Sequence, residues 1–355
     1  MTLSRLLSTA ALAVAIAAPV RAAEVGVRDI KVAAPERGRD LAVTVWYPAA
    51  AGGEPVLVGD SKVFKGAPAS MNAPLMKGRF PLIVLSHGSG SRVQGMAWLA
   101  TELASAGFVV AGPNHPGTTS GDSTPADTPK LWERTQDLSA VIDEMTADPA
   151  WSDAVDANKI GIVGFSLGGA AAMEIAGARA NLEAYASYCD TYTKWDCAWF
   201  AGGIGYVNDE AVHVEKFDLR TIDGTRFDQS NLDPRVKSAV LVDPGLAPAY
   251  DAESLKAIAI PTSFINLGSA GTIPEGVIAD RLAALTPQGT YASIAQAVHF
   301  SFLPECKPGA AEFLKSVGEV DPICAEGGSR SRADLHAELI GLIKGDLQRT
   351  LQDRQ

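Results

Sequence analysis

The sequence predicts an α/β protein with a mainly parallel sheet, helices on both faces of that sheet and one inserted cap-like segment. Short apolar runs alternate with helical patterns along most of the chain, which is typical of parallel strands joined by crossover helices. Several of those runs are apolar at nearly every position, as expected for strands covered on both faces. The 355-residue chain is long enough for one large domain with a sizeable core.

The N-terminal segment predicts export to the periplasm or the outside of the cell. Arg5 supplies a positive charge, and Leu6–Ala18 is an uncharged, mostly apolar run that is too short to span a bilayer comfortably. Residues 20–22 then offer a small-residue cleavage site, so we predict a signal peptide over residues 1–22 and a mature domain over 23–355. A buried first helix is the alternative interpretation, but the segment lacks the charged face of a surface helix.

Composition and charge disfavour a membrane anchor and the binding of nucleic acid. No cysteine follows the apolar run, and no later stretch approaches the roughly 18 apolar residues of a membrane span, so no stable membrane anchor is predicted. The formal charge of −11 becomes −13 once Arg5 and Arg21 leave with the signal peptide. An acidic chain without a Lys/Arg cluster is a poor candidate for binding nucleic acid. The sequence gives no indication of the oligomeric state.

The predicted elements follow the chain in a regular order. Valine-rich alternation at 25–33 and 40–47 indicates an opening antiparallel pair of strands, and 49–79, rich in Gly, Pro and Ala, predicts a long loop. Apolar runs and helical spacing then predict the remaining elements. These are strands 80–86, 108–112, 159–165, 236–242, 261–267 and 290–298, and helices from Met96 to Gly107 and over 131–147, 166–179, 275–285 and 332–351.

Residues 180–235 interrupt this rhythm and predict an insertion between sheet strands. The segment holds Trp195, Trp199 and Phe200, which form either an apolar wall over a site or the buried core of a lid. Four cysteines occur along the chain, and their clustering favours the pairs Cys189–Cys197 and Cys306–Cys324 among three possible pairings. Export makes disulfides plausible, whereas a metal site is disfavoured because no C-x-x-C motif is present.

The strongest motif is Gly164-Phe165-Ser166-Leu167-Gly168-Gly169, which fits G-x-S-x-G between an apolar strand and an Ala-rich helix. This is the context of the nucleophile elbow in the α/β-hydrolase fold. The chain must turn sharply so that the serine oxygen projects from the sheet, and glycines two residues away on either side relieve the crowding. We therefore predict Ser166 as a nucleophile; an ordinary Gly-rich turn is the alternative.

Two backbone N–H groups are candidates for an oxyanion hole. In this fold one comes from the residue after the nucleophile, here Leu167, and the other from the loop that follows an earlier strand. That loop is Ser86-His87-Gly88-Ser89-Gly90, and we assign the second donor to Ser89 because Gly88 lets the backbone approach the substrate. His87 invites a catalytic interpretation, but ordering of the loop through hydrogen bonds is favoured.

The order of the triad residues along the chain selects the histidine that acts as the candidate general base. The triad of this fold runs Ser, acid, His, which disfavours the two histidines before Ser166, at 87 and 115. His213 lies in the insertion, and His336 lies on the last helix beside charged residues, where a solvated or capping role is expected. His299, just after strand 290–298, is the predicted base.

The acid is less obvious. Gly271 occupies the position at which many α/β-hydrolases carry the acid, in Gly268-Ser269-Ala270-Gly271-Thr272-Ile273-Pro274. Asp243 closes the preceding apolar strand, where a buried carboxylate needs partners. A turn-initiating Asp-Pro-Gly is the alternative interpretation. We predict Asp243 as the acid, with Glu275 as the second candidate.

The chain resembles the platelet-activating factor acetylhydrolase and dienelactone-hydrolase-like branch of the α/β-hydrolases over most of its mature length. The matching motifs are Val45-Trp46-Tyr47-Pro48, Leu85-Ser86-His87-Gly88-Ser89-Gly90, Leu103-Ala104-Ser105-Ala106-Gly107-Phe108-Val109-Val110-Ala111, the elbow, Asp243, Ile265-Asn266 and Val298-His299. Two departures matter: dienelactone hydrolases use cysteine where this chain has Ser166, and 180–235 has no match. The resemblance implies the catalytic machinery and favours short acyl groups.

Together these observations predict a cofactor-independent, metal-independent serine carboxylic ester hydrolase that acts on a small-molecule ester. A peptidase or amidase would use the same triad and is the first alternative. A non-catalytic binding protein on the same scaffold is the second, but that class is expected to have lost a member of the triad, and all three residues are present.

Overall fold

The computed structural model of the chain describes residues 24–352; the predicted signal peptide and Ala23 lie outside them. The strands are β1 Glu24–Val32, β2 Leu41–Ala49, β3 Glu54–Val58, β4 Ala67–Met71, β5 Phe80–Ser86, β6 Val109–Pro113, β7 Thr118–Thr119, β8 Asp122–Ser123, β9 Val155–Phe165, β10 Gly203–Val207, β11 Glu210–Val214, β12 Val236–Val242, β13 Thr262–Leu267 and β14 Gly289–Ile294. The helices are α1 Ala97–Ser105, α2 Leu131–Ala147, α3 Leu167–Ile175, α4 Leu182–Thr191, α5 Asp196–Trp199, α6 Gly224–Phe227, α7 Ala252–Lys256, α8 Asp280–Leu285, α9 Ala310–Ser316 and α10 Arg332–Leu347.

Ten strands form one sheet in the order β14-β13-β12-β9-β5-β6-β2-β1-β4-β3. The run from β14 to β6 is parallel, whereas β2 is antiparallel to both β6 and β1. In the parallel run Val242 pairs with both Phe165 and Ile265, and Leu267 pairs with Ile294. The carboxyl ends of these strands therefore lie together at one edge of the sheet, and the residues that follow them become neighbours.

Both faces of the central strands are buried, which explains why their sequences are continuously apolar. Along β5, Leu82 and Val84 pack on one side with residues of α2 and α3, whereas Ile83 and Leu85 pack on the other with α1 and α10. This alternation is the two-residue period of a strand. The predicted mainly parallel sheet with helices on both faces is confirmed.

The segment 180–235 lies between α3 and β12 and contains α4, α5, the β10–β11 hairpin and α6. The hairpin joins β7 and β8 in a second, four-stranded sheet. Tyr185, Phe200 and Phe227 form a separate apolar cluster with Trp132 and Leu167, so the segment packs over the start of the helix that follows Ser166.

The structure corrects three predicted boundaries near the site. Helix 166–179 ends earlier, at Ile175, because Gly177 has a φ of +116°. Strand 290–298 ends at Ile294, where Gln296 at φ +63° turns the chain. Helix 275–285 is a 3-10 turn followed by α8, because the Asn266 side chain binds the Val277 carbonyl and the Ala279 N–H.

The predicted loop 49–79 is also corrected. It contains β3 and β4, an antiparallel hairpin that extends the sheet beyond β1. Only two residue pairs join β4 to β1, and the hairpin forms the outer edge of the sheet. The strand signal is weak because β4 contains Ala and Pro and glycines flank β3, and these residue types are depleted in strands. Within residues 24–352, no helix combines the length and the apolarity needed to cross a membrane.

Helix α3 carries one buried carboxyl group, that of Glu174, which is 1% exposed. Its Oε2 accepts a hydrogen bond of 2.7 Å from Asn231 Nδ2, while Oε1 has no hydrogen-bond partner among the described residues. Burial raises the pKa of Glu174 to about 8, an effect that the Asn231 hydrogen bond partly opposes. The folded protein therefore holds a proton that the unfolded chain releases at much lower pH.

Glu174→Gln should flatten the dependence of stability on pH. A carboxyl whose folded-state pKa is raised contributes its full stability below the unfolded pKa, and this contribution is lost as pH rises toward about 8. The uncharged amide does not titrate, so the variant should lose less free energy of unfolding than the wild type between pH 5 and pH 8 in urea titrations. Glu102→Gln, at an exposed position on α1, is the control. Equal losses in wild type and Glu174→Gln would contradict this account.

Candidate active site

Ser166 lies in the turn between β9 and α3 with a φ of 55° and a ψ of −120°. A residue with a side chain rarely adopts positive φ, so the surrounding structure must hold this conformation. The Ser166 N–H donates to the Val242 carbonyl at 3.0 Å, and its own carbonyl accepts from Gly245 N–H at 2.9 Å. Backbone hydrogen bonds to the neighbouring strand end therefore hold the strained turn.

The glycines of the motif are needed for close packing. A Cβ atom on Gly164 would lie 2.1 Å from the Gly168 carbonyl oxygen, and one on Gly168 would lie 2.0 Å from the Ser86 carbonyl oxygen. Either contact would force backbone to move. The motif thus allows the turn after β9 to pack directly against the end of β5.

The structure brings Ser166, His299 and Asp243 into one line of hydrogen bonds. His299 Nε2 lies 3.1 Å from Ser166 Oγ, and His299 Nδ1 lies 2.8 Å from Asp243 Oδ2. The Asp243 side chain is fully buried and the His299 side chain is 12% exposed. A hydroxyl group at this distance can pass its proton to the imidazole, while the carboxylate holds the N–H on the opposite nitrogen.

Asp243 is the residue after β12 and has a φ of 43°. Its second oxygen, Oδ1, accepts hydrogen bonds from Asn266 Nδ2 at 2.8 Å and from Leu267 N–H at 2.9 Å. These donors satisfy a carboxylate that would be costly to bury alone. This role of Asn266 was not predicted; its signal in the sequence is a polar asparagine between Ile265 and Leu267 at the end of a buried strand.

Neither of the other candidate positions for the acid forms a hydrogen bond with the His299 ring. Glu275 is exposed at the start of its 3-10 turn, and no hydrogen bond joins it to His299. Gly271 is also exposed, with open space where a Cβ would stand. The chain thus has glycine instead of a carboxylate at position 271 and carries the carboxylate of Asp243 at the end of the adjacent strand.

His299 lies in a short 3-10 turn, His299–Phe302, that is held in place by a histidine of α10. His336 Nε2 donates to the Ser301 and Leu303 carbonyls at 3.0 and 3.1 Å. The imidazole ring of His336 stacks on the Trp98 ring, with 3.7 Å between the ring centres. The expectation that His336 is solvated is therefore wrong. It lies on the buried stripe of α10 with Leu335 and Leu339, so helical periodicity places it in the core.

The two candidate oxyanion groups belong to the residue after Ser166 and to the residue after Gly88. Leu167 is the first residue of α3, where an N–H has no partner within the helix. Gly88 packs against the nucleophile: a Cβ on it would lie 3.4 Å from Ser166 Cβ. The Ser89 N–H that follows donates no hydrogen bond within residues 24–352. Neither the Leu167 nor the Ser89 N–H donates a hydrogen bond within residues 24–352, so both remain candidates for the oxyanion hole.

The remaining histidines lie apart from this line. His87 and His115 are fully buried, and burial lowers the pKa of both imidazoles well below the ordinary value. His213 is exposed on the β10–β11 hairpin and contacts Glu215 at 3.2 Å.

The insertion places one aromatic ring at the site. The Trp195 ring centre lies 6.4 Å from that of His299 and 6.1 Å from that of Phe300, and the residue is 44% exposed. Trp199 instead donates from Nε1 to Thr128 Oγ1 at 2.9 Å, and Phe200 is buried in the core of the insertion. The two interpretations of these aromatic residues therefore apply to different members of the group.

A partly buried carboxyl follows Trp195. Burial raises the pKa of Asp196, and the Tyr185 hydroxyl, which donates to it at 3.2 Å, opposes that rise. The Asp196 Oδ1 atom has no hydrogen-bond partner among the described residues.

Both favoured disulfides are present in the structure. Cys189–Cys197 joins α4 to α5 directly beside Trp195, and Cys306–Cys324 closes the segment that contains α9. Glu326, shortly after the second disulfide, accepts a hydrogen bond from Ser301 Oγ at 2.7 Å. Each disulfide therefore constrains a segment that contacts His299 or its turn.

Two comparisons with known sequences point to hydrolases. Residues 70–198, which include the elbow, match the model of a family described as "PETase: PET hydrolase-like". Over 107 residues the chain is 32% identical to a bis(hydroxyethyl) terephthalate hydrolase of Streptomyces coelicolor. That alignment covers 30% of this chain and 32% of the relative, so the chain spans about a third of the length of the curated relative it matches.

The fold is similar to that of a solved ferulic acid esterase from Streptomyces cinnamoneus. The TM-score is 0.62 at 21% sequence identity, and the superposition covers 95% of this chain and 93% of that one. These comparisons agree with the sequence resemblance at the level of the superfamily. Its parallel sheet, its strand–elbow–helix and this similarity over nearly the whole chain show that the protein has the α/β-hydrolase fold.

Proposed function

We propose that this protein is a serine carboxylic ester hydrolase that forms an acyl-enzyme on Ser166. The observation that carries the proposal is the unbroken line from Ser166 Oγ through His299 to Asp243, with hydrogen bonds of 3.1 and 2.8 Å. The family match and the named relatives support the same class of reaction.

In the first half of the proposed reaction, Ser166 Oγ attacks the ester carbonyl carbon while His299 Nε2 accepts its proton. Asp243 stabilises the resulting imidazolium and keeps its Nδ1–H in place. The carbonyl oxygen becomes an oxyanion, which the Leu167 and Ser89 N–H groups stabilise. The imidazolium then protonates the alcohol as the C–O bond breaks, which leaves the acyl group on Ser166.

In the second half, His299 takes a proton from water, and the hydroxide formed attacks the acyl carbon. The second tetrahedral intermediate collapses, Ser166 recovers its proton from His299, and the carboxylic acid departs. Each step uses groups that the chain itself supplies, so we propose no metal or cofactor.

The proposed substrates are small-molecule esters with short acyl groups, as the acetylhydrolase resemblance implies. A small aromatic acyl group is the second candidate, which the half-exposed Trp195 ring beside His299 favours. The names of the two relatives, a bis(hydroxyethyl) terephthalate hydrolase and a ferulic acid esterase, are in keeping with it. Nitrophenyl esters of increasing acyl length, an aromatic methyl ester and an acyl anilide would separate these candidates from an amidase.

Ser166→Ala should abolish turnover and labelling by an organophosphonate probe. Loss of a triad serine costs on the order of 10⁶ in kcat. The probe should label one site in the wild type, identified as Ser166 by peptide mass spectrometry, and Ser187→Ala, at an exposed position on α4, should keep both labelling and activity. Labelling of another serine in the Ser166→Ala protein would refute the assignment, as would an active Ser166→Ala enzyme.

Asp243→Asn should reduce kcat by roughly 10⁴ while the fold is retained by circular dichroism. The amide keeps the shape of the side chain but favours the wrong tautomer of His299. The matched substitution Glu275→Gln, at the exposed second candidate, should cost less than about tenfold because that side chain is solvated. The proposal fails if the two variants exchange these outcomes, or if folded Asp243→Asn is nearly fully active.

We also propose that the chain is exported and that its four cysteines are oxidised in the exported protein. Alkylation under non-reducing conditions, followed by intact-mass analysis, should find no modified thiol. Each disulfide should contribute roughly 2–4 kcal/mol by the loop-entropy argument. Four modified thiols would overturn this proposal.

The two disulfides should differ in their effect on catalysis. Replacing both Cys306 and Cys324 by serine should lower activity more than replacing both Cys189 and Cys197. Glu326 lies shortly after Cys324 and binds Ser301, so the Cys306–Cys324 disulfide is connected to the turn of His299. Equal kcat values for the two double variants, at a temperature where both are folded, would count against this assignment.

A further inference from the structure

Behind the nucleophile lies a buried polar network that the proposed mechanism does not use. We call it the brace. Its members are Arg37, Ser86, His87, His115, Arg134 and Asp137. Five of the six are at most 1% exposed, and the Arg37 side chain is 7% exposed. Burying so many polar groups is costly unless each finds a partner, so their arrangement requires a reason.

The first branch of the brace ends on the hydroxyl of Ser86. Arg37 donates from Nε and Nη2 to the two oxygens of Asp137 at 2.8 and 2.9 Å, so both oxygens act as acceptors. Asp137 Oδ2 lies 2.8 Å from His115 Nδ1, which places the ring proton on Nδ1. Because burial keeps this ring neutral, His115 Nε2 accepts the hydroxyl proton of Ser86 at 3.0 Å.

The second branch ends on the loop after β5. Arg134 donates from Nη2 to Ser86 Oγ at 3.3 Å and to the His87 carbonyl, and from Nη1 to Thr118 Oγ1 at 2.8 Å. The Ser86 hydroxyl thus has a donor on one side and an acceptor on the other. Arg134 and His115 therefore fix the position of Ser86, the last residue of β5, by hydrogen bonds from two sides.

The ring of His87 completes the network. The His115 N–H donates to His87 Nε2 at 3.2 Å, so the ring proton is on Nδ1, which donates to the Gly88 carbonyl at 2.7 Å. In a trans peptide the C=O and the following N–H point in opposite directions. The hydrogen bond that holds the Gly88 carbonyl against the His87 ring therefore turns the Ser89 N–H away from that ring. Ser89 directly follows Gly88, the residue that packs against Ser166.

We propose that the brace is a positioning device that sets the direction of the Ser89 N–H as an oxyanion donor. The inference rests on the proposed esterase function, and it assigns to His115 and Asp137 a role beyond stability. Both branches of the brace and the His87 ring end in hydrogen bonds to residues 86–88, the segment that precedes this donor. A brace that merely stabilised the core would have no reason to converge on that segment.

His115→Leu is the principal test, because it removes both ring hydrogen bonds at similar volume. An oxyanion donor acts mainly in the transition state, so kcat should fall about tenfold to a hundredfold while KM stays within about twofold. Affinity for a boronic acid, which forms a tetrahedral adduct on Ser166, should fall in proportion to kcat/KM. His115→Gln should restore most of the activity, because its amide can donate to Asp137 and accept from Ser86.

Two further variants keep the test decisive. Ser86→Ala removes only the hydroxyl between His115 and Arg134 and should lower kcat in the same manner if His115→Leu does not fold. Thr350→Val is the matched control, since it removes a buried hydroxyl that bonds Ser238 at 2.9 Å away from the site, and it should lower stability without changing kcat.

The outcomes separate this inference from the proposed function. A wild type that hydrolyses esters, with folded His115→Leu and Ser86→Ala variants of unchanged kcat and boronate affinity, would overturn the brace alone. The same conclusion would follow if Thr350→Val lost as much kcat as they did, or if His115→Gln recovered thermal stability without recovering kcat. A wild type that hydrolyses no ester would overturn both.

Discussion

The strained turn at Ser166 is the constraint on which the rest of the site depends. A serine at φ 55° is stable here only because its backbone groups bind Val242 and Gly245 and because the glycines around it leave room. That requirement ties the end of β9 to the end of β12 and to the loop after β5. The same contacts that hold the turn therefore gather the groups that surround the serine oxygen.

Parallel pairing extends this arrangement to the acid and the base. Because β9, β12, β13 and β14 end at one edge, Asp243 follows the strand beside the elbow, and His299 follows the outermost strand. Asn266 on the strand between them satisfies the second oxygen of the acid. Sheet register thus sets the distance between carboxylate and imidazole, while the turn carrying His299 is held by the last helix.

Local patterns predicted the central strands, the elbow, and the positions of Asp243 and His299, because each depends on apolar runs and on chain order. The residues that support them were harder to foresee. Asn266 and His336 act through partners distant in sequence, so local patterns place both residues in buried elements but do not identify what they bind. The hairpin within 49–79 was missed because its pairing comes from a sheet edge and its composition favours a loop. Long-range contacts, which a single sequence does not display, account for these differences.

We propose that Ser166 attacks a carbonyl whose oxygen enters a hole formed by the Ser89 and Leu167 N–H groups. The most direct measurement is a crystal structure of the enzyme after reaction with a phosphonate ester, whose tetrahedral adduct resembles the intermediate. We expect phosphorus bonded to Ser166 Oγ and the phosphoryl oxygen about 3 Å from the backbone nitrogens of Ser89 and Leu167. A phosphoryl oxygen directed away from these N–H groups, or an adduct on another residue, would contradict it.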